Sequence, residues 1–456
     1  MATTQITMTQ SAGTSAKKFT VSMWWKAGTI DTNEGLWGCG TGTSDAVSIT
    51  YQSGGQLSLE TYDGSLNPKL RTTRLLRDPA AWYHLVFSID TTDSDADERL
   101  KVWINGVRET SFITYTTITL DSDIPGWSGS GDTMKIGNRI LDGDAYFDGE
   151  MSHVHVIDGT IYAPTTFAET DSTSGIWKIK TSPSVTYGTN GCFLKMEDRT
   201  NLDLDSSPNA HTFTTTGTGT ATYDNPSNSF CTLNPIQMSD PSGNYILSQG
   251  NNTLNVTSND YMRQTGMTIH PTGLKGYFEF KNVADSNYQV QFQDVTVKLG
   301  KENYNDLASG GMYFLTWGDL KFSNGGTAGE LTAAYFGSPG AAEGDIIGCA
   351  FDFSGSNRNV WFHRNGTYGN NGSGVGNPST GAYPAFTSSL LVTTKEYEII
   401  YAANSGTTCT TAFNFGNGYF GTTAISSEGT NASGIGSFEY DVPTGFTALS
   451  TKGLSE

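Results

Sequence analysis

Twice along the chain a β-rich apolar run closes on or beside Asp, and a second run follows that closes on Asn-Gly. The first pair is Trp82–Asp90 (WYHLVFSID) with Leu100–Val107 (LKVWINGV). The second is Asp345–Phe353 (DIIGCAFDF) with Asn359–Tyr368 (NVWFHRNGTY). In each, the second run carries a tryptophan shortly before the turn: Trp103 before Asn105-Gly106, and Trp361 before Asn365-Gly366. Asn-Gly between β-rich segments is the strongest short hairpin signal, because both residues tolerate positive φ. Two such units predict two all-β domains, a plan suited to binding or assembly more than to cofactor chemistry.

A chain of 456 residues has room for two or three cores. Gly, Ser, Thr and Asn are abundant and aromatics frequent, the profile of many short strands joined by turns. No sustained heptads indicate a coiled-coil shaft. The formal net charge of −19 argues against a nucleic-acid partner and against docking on anionic lipid, and complements a basic protein surface. The first residues, MATTQITMTQSAGTSAKKFTVSMWW, lack a basic segment followed by an apolar one, and no apolar stretch approaches a membrane span. The expectation is synthesis in a host cytoplasm without membrane insertion. The five cysteines (Cys39, Cys192, Cys231, Cys349 and Cys409) are odd in number and form no CxxC pair, which argues against a disulfide framework and against zinc.

Strands are expected at Lys18–Gly28, Ala46–Tyr51 and Gln56–Tyr62, then through the first hairpin to Met134–Ile140 and Ala145–Gly159. Pro164 suits the first turn of a short helix over Ala163–Glu169. The first domain is expected over residues 1–200. Turn-rich final strands and a connector fill 201–235, with the boundary at Phe230–Pro235, and a second domain spans 236–456. There Gly273–Val283 and Gln289–Gly300 alternate as core strands should. The fold class is all-β, two jelly-roll or β-sandwich domains.

At these residues a family resemblance enters. WYHLVFSID with LKVWINGV, then KIGNRI, YFDGEMSHVHVIDG, FAETDSTSGIWKIK and YGTNGCFLKM resemble a laminin-G/concanavalin A-like module. Gly344-Asp345-Ile346-Ile347-Gly348, Asp352, WFHRNG, FNFGNG and PTGFTALSTKGL resemble a SPRY-type sandwich. The tandem order, with NPSNSFCTLNP between, is similar to structural proteins of tailed, particularly marine, bacteriophages. The resemblance implies a non-enzymatic virion surface protein, as capsid decoration, head fibre or tail appendage. Its partners would be other capsid or tail proteins and a host surface glycan, and by analogy it admits a homo-oligomer. With no adaptor or fibrous shaft ahead of the first sandwich, a compact appendage is expected. The alternatives are a carbohydrate-binding or glycan-active protein outside a virion, and a purely structural decoration protein with no receptor role.

Glycoside hydrolases need two carboxylates flanking the scissile bond, and no strand here alternates Glu and Asp, so no catalytic residue is assigned. No cofactor motif is present; calcium is the one ion the sequence leaves open. Laminin-G-like modules often hold it through loop carboxylates. Asp142, Asp144 and Asp148 are the better candidates, while Asp93, Asp95, Asp97 and Glu98 read as a solvated acidic loop. His153 and His155, at i and i+2, share one strand face but lack a third ligand, and His84 reads as structural. Glycan binding needs exposed aromatics beside amides. Trp127 in IPGWSGSG, with Tyr313 and Trp317 in GGMYFLTWGD, is the candidate set, whereas Trp24, Trp82, Trp103 and Trp361 sit in strand patterns expected in the core.

Overall fold

The computed structural model describes residues 3–233 apart from 31, 80, 141–144, 173–174 and 181. Beyond these it describes 245–256, 268–269, 273–284, 288–294, 311–315, 320–323, 328–332, 335–337, 342–355, 358–387, 397–403 and 409–453. Of these, 245, 268–269, 288–294, 311–315, 320–323, 328–332 and 397–403 are described by their backbone alone. The chain divides into two compact units, Met1–Ala221 with Asn225–Ser227, and Thr222–Asp224 with Asn228–Glu456. No helix among the described residues is long and apolar enough to cross a membrane.

The first unit runs β1 (Gln5–Thr9), β2 (Lys18–Ala27), β3 (Glu34–Gly42), β4 (Asp45–Gln52), β5 (Gln56–Tyr62), β6 (Leu66–Thr72), β7 (Tyr83–Asp90) and β8 (Leu100–Ile104). It continues with β9 (Val107–Arg108), β10 (Phe112–Tyr115), β11 (Thr133–Ile136), β12 (Gly149–Asp158), β13 (Ala168–Thr170), β14 (Trp177–Ile179), β15 (Cys192–Leu194) and β16 (Thr214–Thr216). An eight-stranded sheet, β10-β6-β5-β4-β3-β11-β1-β16, faces a six-stranded one, β15-β12-β2-β7-β8-β9. Alternation explains the sandwich. On β2, Phe19, Val21, Met23 and Trp25 point into the core, where Leu85, Phe87 and Ile89 of β7 and Val47, Ile49 and Tyr51 of β4 meet them. The other face of the six-stranded sheet is also covered: Val86, Ile157 and Phe193 pack under Phe167 and Tyr187 of the irregular segment that follows β12.

The second unit carries β17 (Tyr245–Ser248), β18 (Thr253–Val256), β19 (Thr268–Ile269), β20 (Lys275–Ala284), β21 (Tyr288–Asp294), β22 (Gly311–Leu315) and β23 (Leu320–Ser323). Then come β24 (Ala328–Thr332), β25 (Ile346–Asp352), β26 (Asn359–Arg364), β27 (Thr367–Tyr368), β28 (Tyr397–Ala403) and β29 (Cys409–Asn414). One sheet is β17-β18-β29-β20-β25-β26-β27, joined at β20 by Thr447–Ala448 in parallel; the other is β19-β28-β21-β22-β23-β24. Phe278, Phe280, Cys349, Phe351, Phe362 and Phe413 fill one side of the first of these sheets. Tyr277, Ala350 and Trp361 on its other side lie under Phe438, Val442 and Phe446.

Both Asn-Gly turns form as expected. Asn105 and Asn365 each have φ of 49°, followed by Gly106 at 79° and Gly366 at 81°. Each asparagine also brackets the start of the preceding strand. The Asn105 amide donates to the His84 carbonyl and its Oδ1 accepts from the His84 amide, both at 2.8 Å. Asn365 makes the same two bonds to Ile346, at 2.8 and 2.9 Å. The crossing between units lies earlier than Phe230–Pro235. Thr214–Thr216 adds to β1, and Phe213 enters the first core. Phe230, Cys231 and Leu233 already belong to cores of the second unit. All five cysteines are buried free thiols.

Candidate functional site

The outward face of the eight-stranded sheet carries a hydrogen-bonded polar array. Registers fix it: Arg71, Ser58, Thr50 and Gly35 stand in one cross-strand row of β6, β5, β4 and β3. Glu60, Ser48, Gly38 and Lys135 stand in the next, on β5, β4, β3 and β11. Gln52 Nε2 donates to Ser58 Oγ at 2.7 Å and to Glu60 Oε1 at 3.2 Å, and Ser58 Oγ donates to Glu60 Oε1 at 3.2 Å. Arg71 donates to Gln56 Oε1 at 2.6 Å. Gly35 and Gly38 leave a trough on β3 in which backbone 138–140 lies, close enough that a methyl on Gly35 would collide with the Arg139 amide. From there Arg139 reaches Glu60 Oε2 at 3.6 Å. The hydroxyls of Ser48 and Thr50, both fully buried in this array, have no hydrogen-bond partner. A buried hydroxyl left unpaired costs about 1–3 kcal/mol, which marks the array as chemically unfinished.

At the end of β3, Glu34 is buried and accepts from Thr32 Oγ1 at 3.0 Å and from the Asp148 amide at 3.2 Å. Burial pushes its carboxyl up to about 8, with the Asp148 charge adding to the rise. The Asp148 carboxyl is raised by burial as well. Calcium takes about six to eight oxygen ligands. Here both Glu34 oxygens already serve as acceptors. No group of three or more His, Cys, Asp or Glu that could hold a metal occurs among the described residues. Asp142 and Asp144 lie outside the described residues. The donors that are described therefore do not amount to a calcium set. In the loop after β7, the Asp93 and Asp95 side chains accept from the amides of Asp95 and Asp97, both at 3.0 Å, and Glu98 pairs with Arg108, so these carboxylates serve the loop itself.

Trp127 is corrected from exposed platform to core. It is 3% exposed, its ring centroid lies 4.9 Å from that of Phe19, and its indole N–H donates to the Ser15 carbonyl at 2.9 Å. The loop that bears it turns inward to close the end of the sandwich, so the ring cannot meet a ligand. Trp317 lies outside the described residues, and of Tyr313 only the backbone, in β22, is described. Trp24 and Trp361 are buried, while Trp82 and Trp103 are half-buried.

Two buried histidine contacts look catalytic and are excluded by their proton directions. Trp177 Nε1–H donates to His84 Nδ1 at 3.0 Å, so the ring proton sits on Nε2 and is given to Ser22 Oγ at 2.9 Å. A base that already donates to the hydroxyl cannot take its proton. In the second unit the Gly366 amide donates to His363 Nδ1 at 3.1 Å, so Nε2–H faces Tyr277 Oη at 2.6 Å. That phenol passes its own proton to Glu279 Oε1 at 2.9 Å. Glu279 also accepts from the Glu439 and Tyr440 amides, each at 2.9 Å, and burial lifts it to about 7. On β12, a bulge between Ser152 and His155 gives His153 a φ of 49°. His153 and His155 both pack on Phe193, and burial lowers both their pKa values.

Strand alternation put Ser48, Thr50 and Gln52 on one face of β4, and Ser58 and Glu60 on one face of β5. What it did not reveal is that registers align these faces and bring Arg139 over them.

Residues 2–164, which contain this array, match the family model described as the Concanavalin A-like lectin/glucanases superfamily. No curated protein matches the chain. Similar solved structures include domains LG4-5 of the mouse laminin alpha1 chain, at 9% identity over 97% of this chain and 94% of that one, with TM-score 0.29. A putative carbohydrate binding protein from Bacteroides ovatus is similar at 15% identity over 47% and 57%, with TM-score 0.30. The TRIM65 PSpry domain is similar at 10% identity over 40% and 88%, with TM-score 0.28. The fold is thus all-β and concanavalin A-like in its first part, with SPRY-like structures among its neighbours.

Proposed function

We propose that the protein binds glycans, without catalysis, on the outward face of the first unit's eight-stranded sheet. The observation that carries this is the mixed array in which the half-buried Arg71, Arg139 and Lys135 edge a buried layer of Ser48, Thr50, Gln52, Ser58 and Glu60, two of whose hydroxyls lack partners. A sugar hydroxyl both donates and accepts, so it suits a surface that mixes a carboxylate, amides, guanidinium groups and unpaired hydroxyls. The lectin/glucanase family model over the same residues supports the reading. Absence of catalysis is supported by Glu60, the sole carboxylate of this array among the described residues, where hydrolysis requires two. Glu34 and Asp148, whose charges also interact, lie at a strand end where Glu34 is 2% exposed.

For its setting we propose the surface of a tailed-bacteriophage virion, as capsid decoration, head fibre or tail appendage. What supports this is the resemblance of the sequence, in its two parts and the connector between them, to structural proteins of such phages. Glycan binding is tested by calorimetry against a panel of host-surface oligosaccharides. Glu60→Gln, which keeps shape and removes charge, is expected to weaken binding at least tenfold, about 1.4 kcal/mol. Equal affinity in the variant, or no binding across the panel, overturns the assignment. Quantitative mass spectrometry of purified particles tests the setting: hundreds of copies indicate decoration, a handful a tail or fibre, and none refutes it.

A further inference from the structure

On the outward face of the first unit's eight-stranded sheet, cations outnumber carboxylates. All eight strands lie within the described residues. Ser48, Thr50, Gln52, Ser58 and Glu60 are buried there, so a ligand first meets the half-buried Arg71 on β6, Arg139 above β3 and Lys135 on β11. Glu60, the one carboxylate of the array among the described residues, is already engaged by Gln52, Ser58 and Arg139. Arg71 has no acid beside it. Its Nη2 donates to the neutral Gln56 Oε1 at 2.6 Å and its Nε is buried without a partner, which leaves Nη1 uncommitted. Lys135 points outward because Met134 and Ile136 on either side of it enter the core. Its ammonium makes no ion pair or hydrogen bond among the described residues, and burial lowers its pKa with no carboxylate offsetting the shift. A charge drawn partly out of water without a partner costs free energy, and the chain, at net −19, has acids in excess to pair with it. The sheet leaves both cations without one.

We propose, resting on the glycan reading of this face, that its ligand is an acidic oligosaccharide, with one acid group drawn to Lys135 and another to Arg71. β6 and β11 are four strand spacings apart, roughly 19 Å at about 4.8 Å each. A single sugar acid cannot reach both. The ligand is therefore an oligomer that carries acid groups on separate sugars and lies across the strands. Carboxylate and sulfate share the chemistry these cations recognise. Nucleic acid, another polyanion, is repelled by the rest of the chain. An acidic peptide offers the charges without the sugar hydroxyls that suit the polar array.

Calorimetry on the full chain compares each acid with an uncharged counterpart. Sodium tetragalacturonate is set against its methyl ester, and a sulfated carrageenan tetrasaccharide against the unsulfated agarose one, with a glutamate-rich peptide alongside. At least one acid should bind about tenfold tighter than its counterpart, and that advantage should shrink as salt is raised. Which of the two acids holds the advantage tells carboxylate from sulfate. Lys135→Met, which removes a charge that burial disfavours, and Arg71→Gln should each cut the advantage about threefold, and the double variant should abolish it. Equal binding of the acids and their counterparts, tighter binding of the peptide, or an advantage that survives in the double variant overturns the proposal and leaves the glycan reading standing. No binding of any saccharide, in this set or across the host-surface panel, overturns both.

Discussion

Gly348 shows how little room the buried polar network of the second unit leaves. Its Cα lies under the imidazole of His363, and a methyl there would collide with Nε2, the atom that donates to Tyr277. Overpacking a core usually costs about 1–3 kcal/mol. Here the displaced ring also releases the bond to Tyr277 and, through it, the bond to Glu279, whose carboxylate holds the amides of Glu439 and Tyr440. Gly348→Ala is therefore expected to destabilise the second unit by roughly 3 kcal/mol or more, read as a drop in its urea midpoint, while the strand amides of the first unit keep their hydrogen-exchange protection. A loss below about 1 kcal/mol would show that the imidazole can move aside freely. The His84 site in the first unit differs in kind. Its ring is stacked on Trp24 with centroids 4.8 Å apart and is fixed at both nitrogens, but no glycine lies beneath it, so its rigidity comes from hydrogen bonds and stacking.

The two Asn-Gly hairpins are the elements in which local sequence and tertiary packing agree most closely. Each turn glycine has positive φ, and each is also roofed by an aromatic ring from a distant segment. A Cβ on Gly106 would stand 2.8 Å from the Trp177 ring, and one on Gly366 2.8 Å from the Tyr440 ring. Gly106→Val and Gly366→Val should each cost about 2–4 kcal/mol, part backbone strain and part displaced ring. The first should also increase the exposure of Trp177, seen as a red shift of its emission. Retained stability in both would refute the turn geometry. The strands themselves were legible: Gln56–Tyr62 alternates in the sequence and forms β5 at those bounds. What escaped were features set by other parts of the chain. Final strands were expected somewhere in 201–235, but the Thr/Gly composition could not show that Thr214–Thr216 is the one that pairs with β1. IPGWSGSG reads as an exposed loop because its neighbours are small and polar, yet Trp127 fills the end of the core. Ser22 occupies a position that alternation assigns to solvent, yet it is buried against His84, a residue read as structural, beneath the segment after β12. The Glu60 array was hidden for a related reason: period-two patterning gives the face of a residue, whereas the grouping of Glu60, Ser48 and Arg139 depends on register and on a returning loop.

Across the whole molecule these buried groups give each unit its own dependence on pH. In the first unit burial lowers His84 to about 3 and His153 to about 4, and lowers His155 well below its usual value. Between those values and 6.5 the unfolded chain binds more protons at these rings than the folded one, so their contribution to stability grows as pH rises and is lost as pH falls. Glu34, raised to about 8, acts in the opposite sense: its contribution is full below about 4.5 and is lost as pH rises toward 8. From pH 4.5 to 6.5 the three histidines act against Glu34 throughout and against the raised carboxyls of Asp148, Asp132 and Glu109 in its lower part, so the rise in stability is steepest toward pH 6.5. Above 6.5 the glutamate acts without the histidines. The first unit should therefore be most stable near pH 6.5. In the second unit His363, lowered to about 3, and Glu279, raised to about 7, pull against each other one for one from pH 4.5 to 6.5. Its stability should be nearly flat there and decline slightly toward pH 7. Hydrogen exchange by mass spectrometry, corrected for intrinsic rates, follows the amides of β2 and β20 separately and so reads the two units in one sample. Protection of β2 that rises to pH 6.5 and then falls, beside an almost level β20, is the expected result. Parallel profiles in the two strands would mean that the histidines of the first unit are hydrated and titrate as in the unfolded chain.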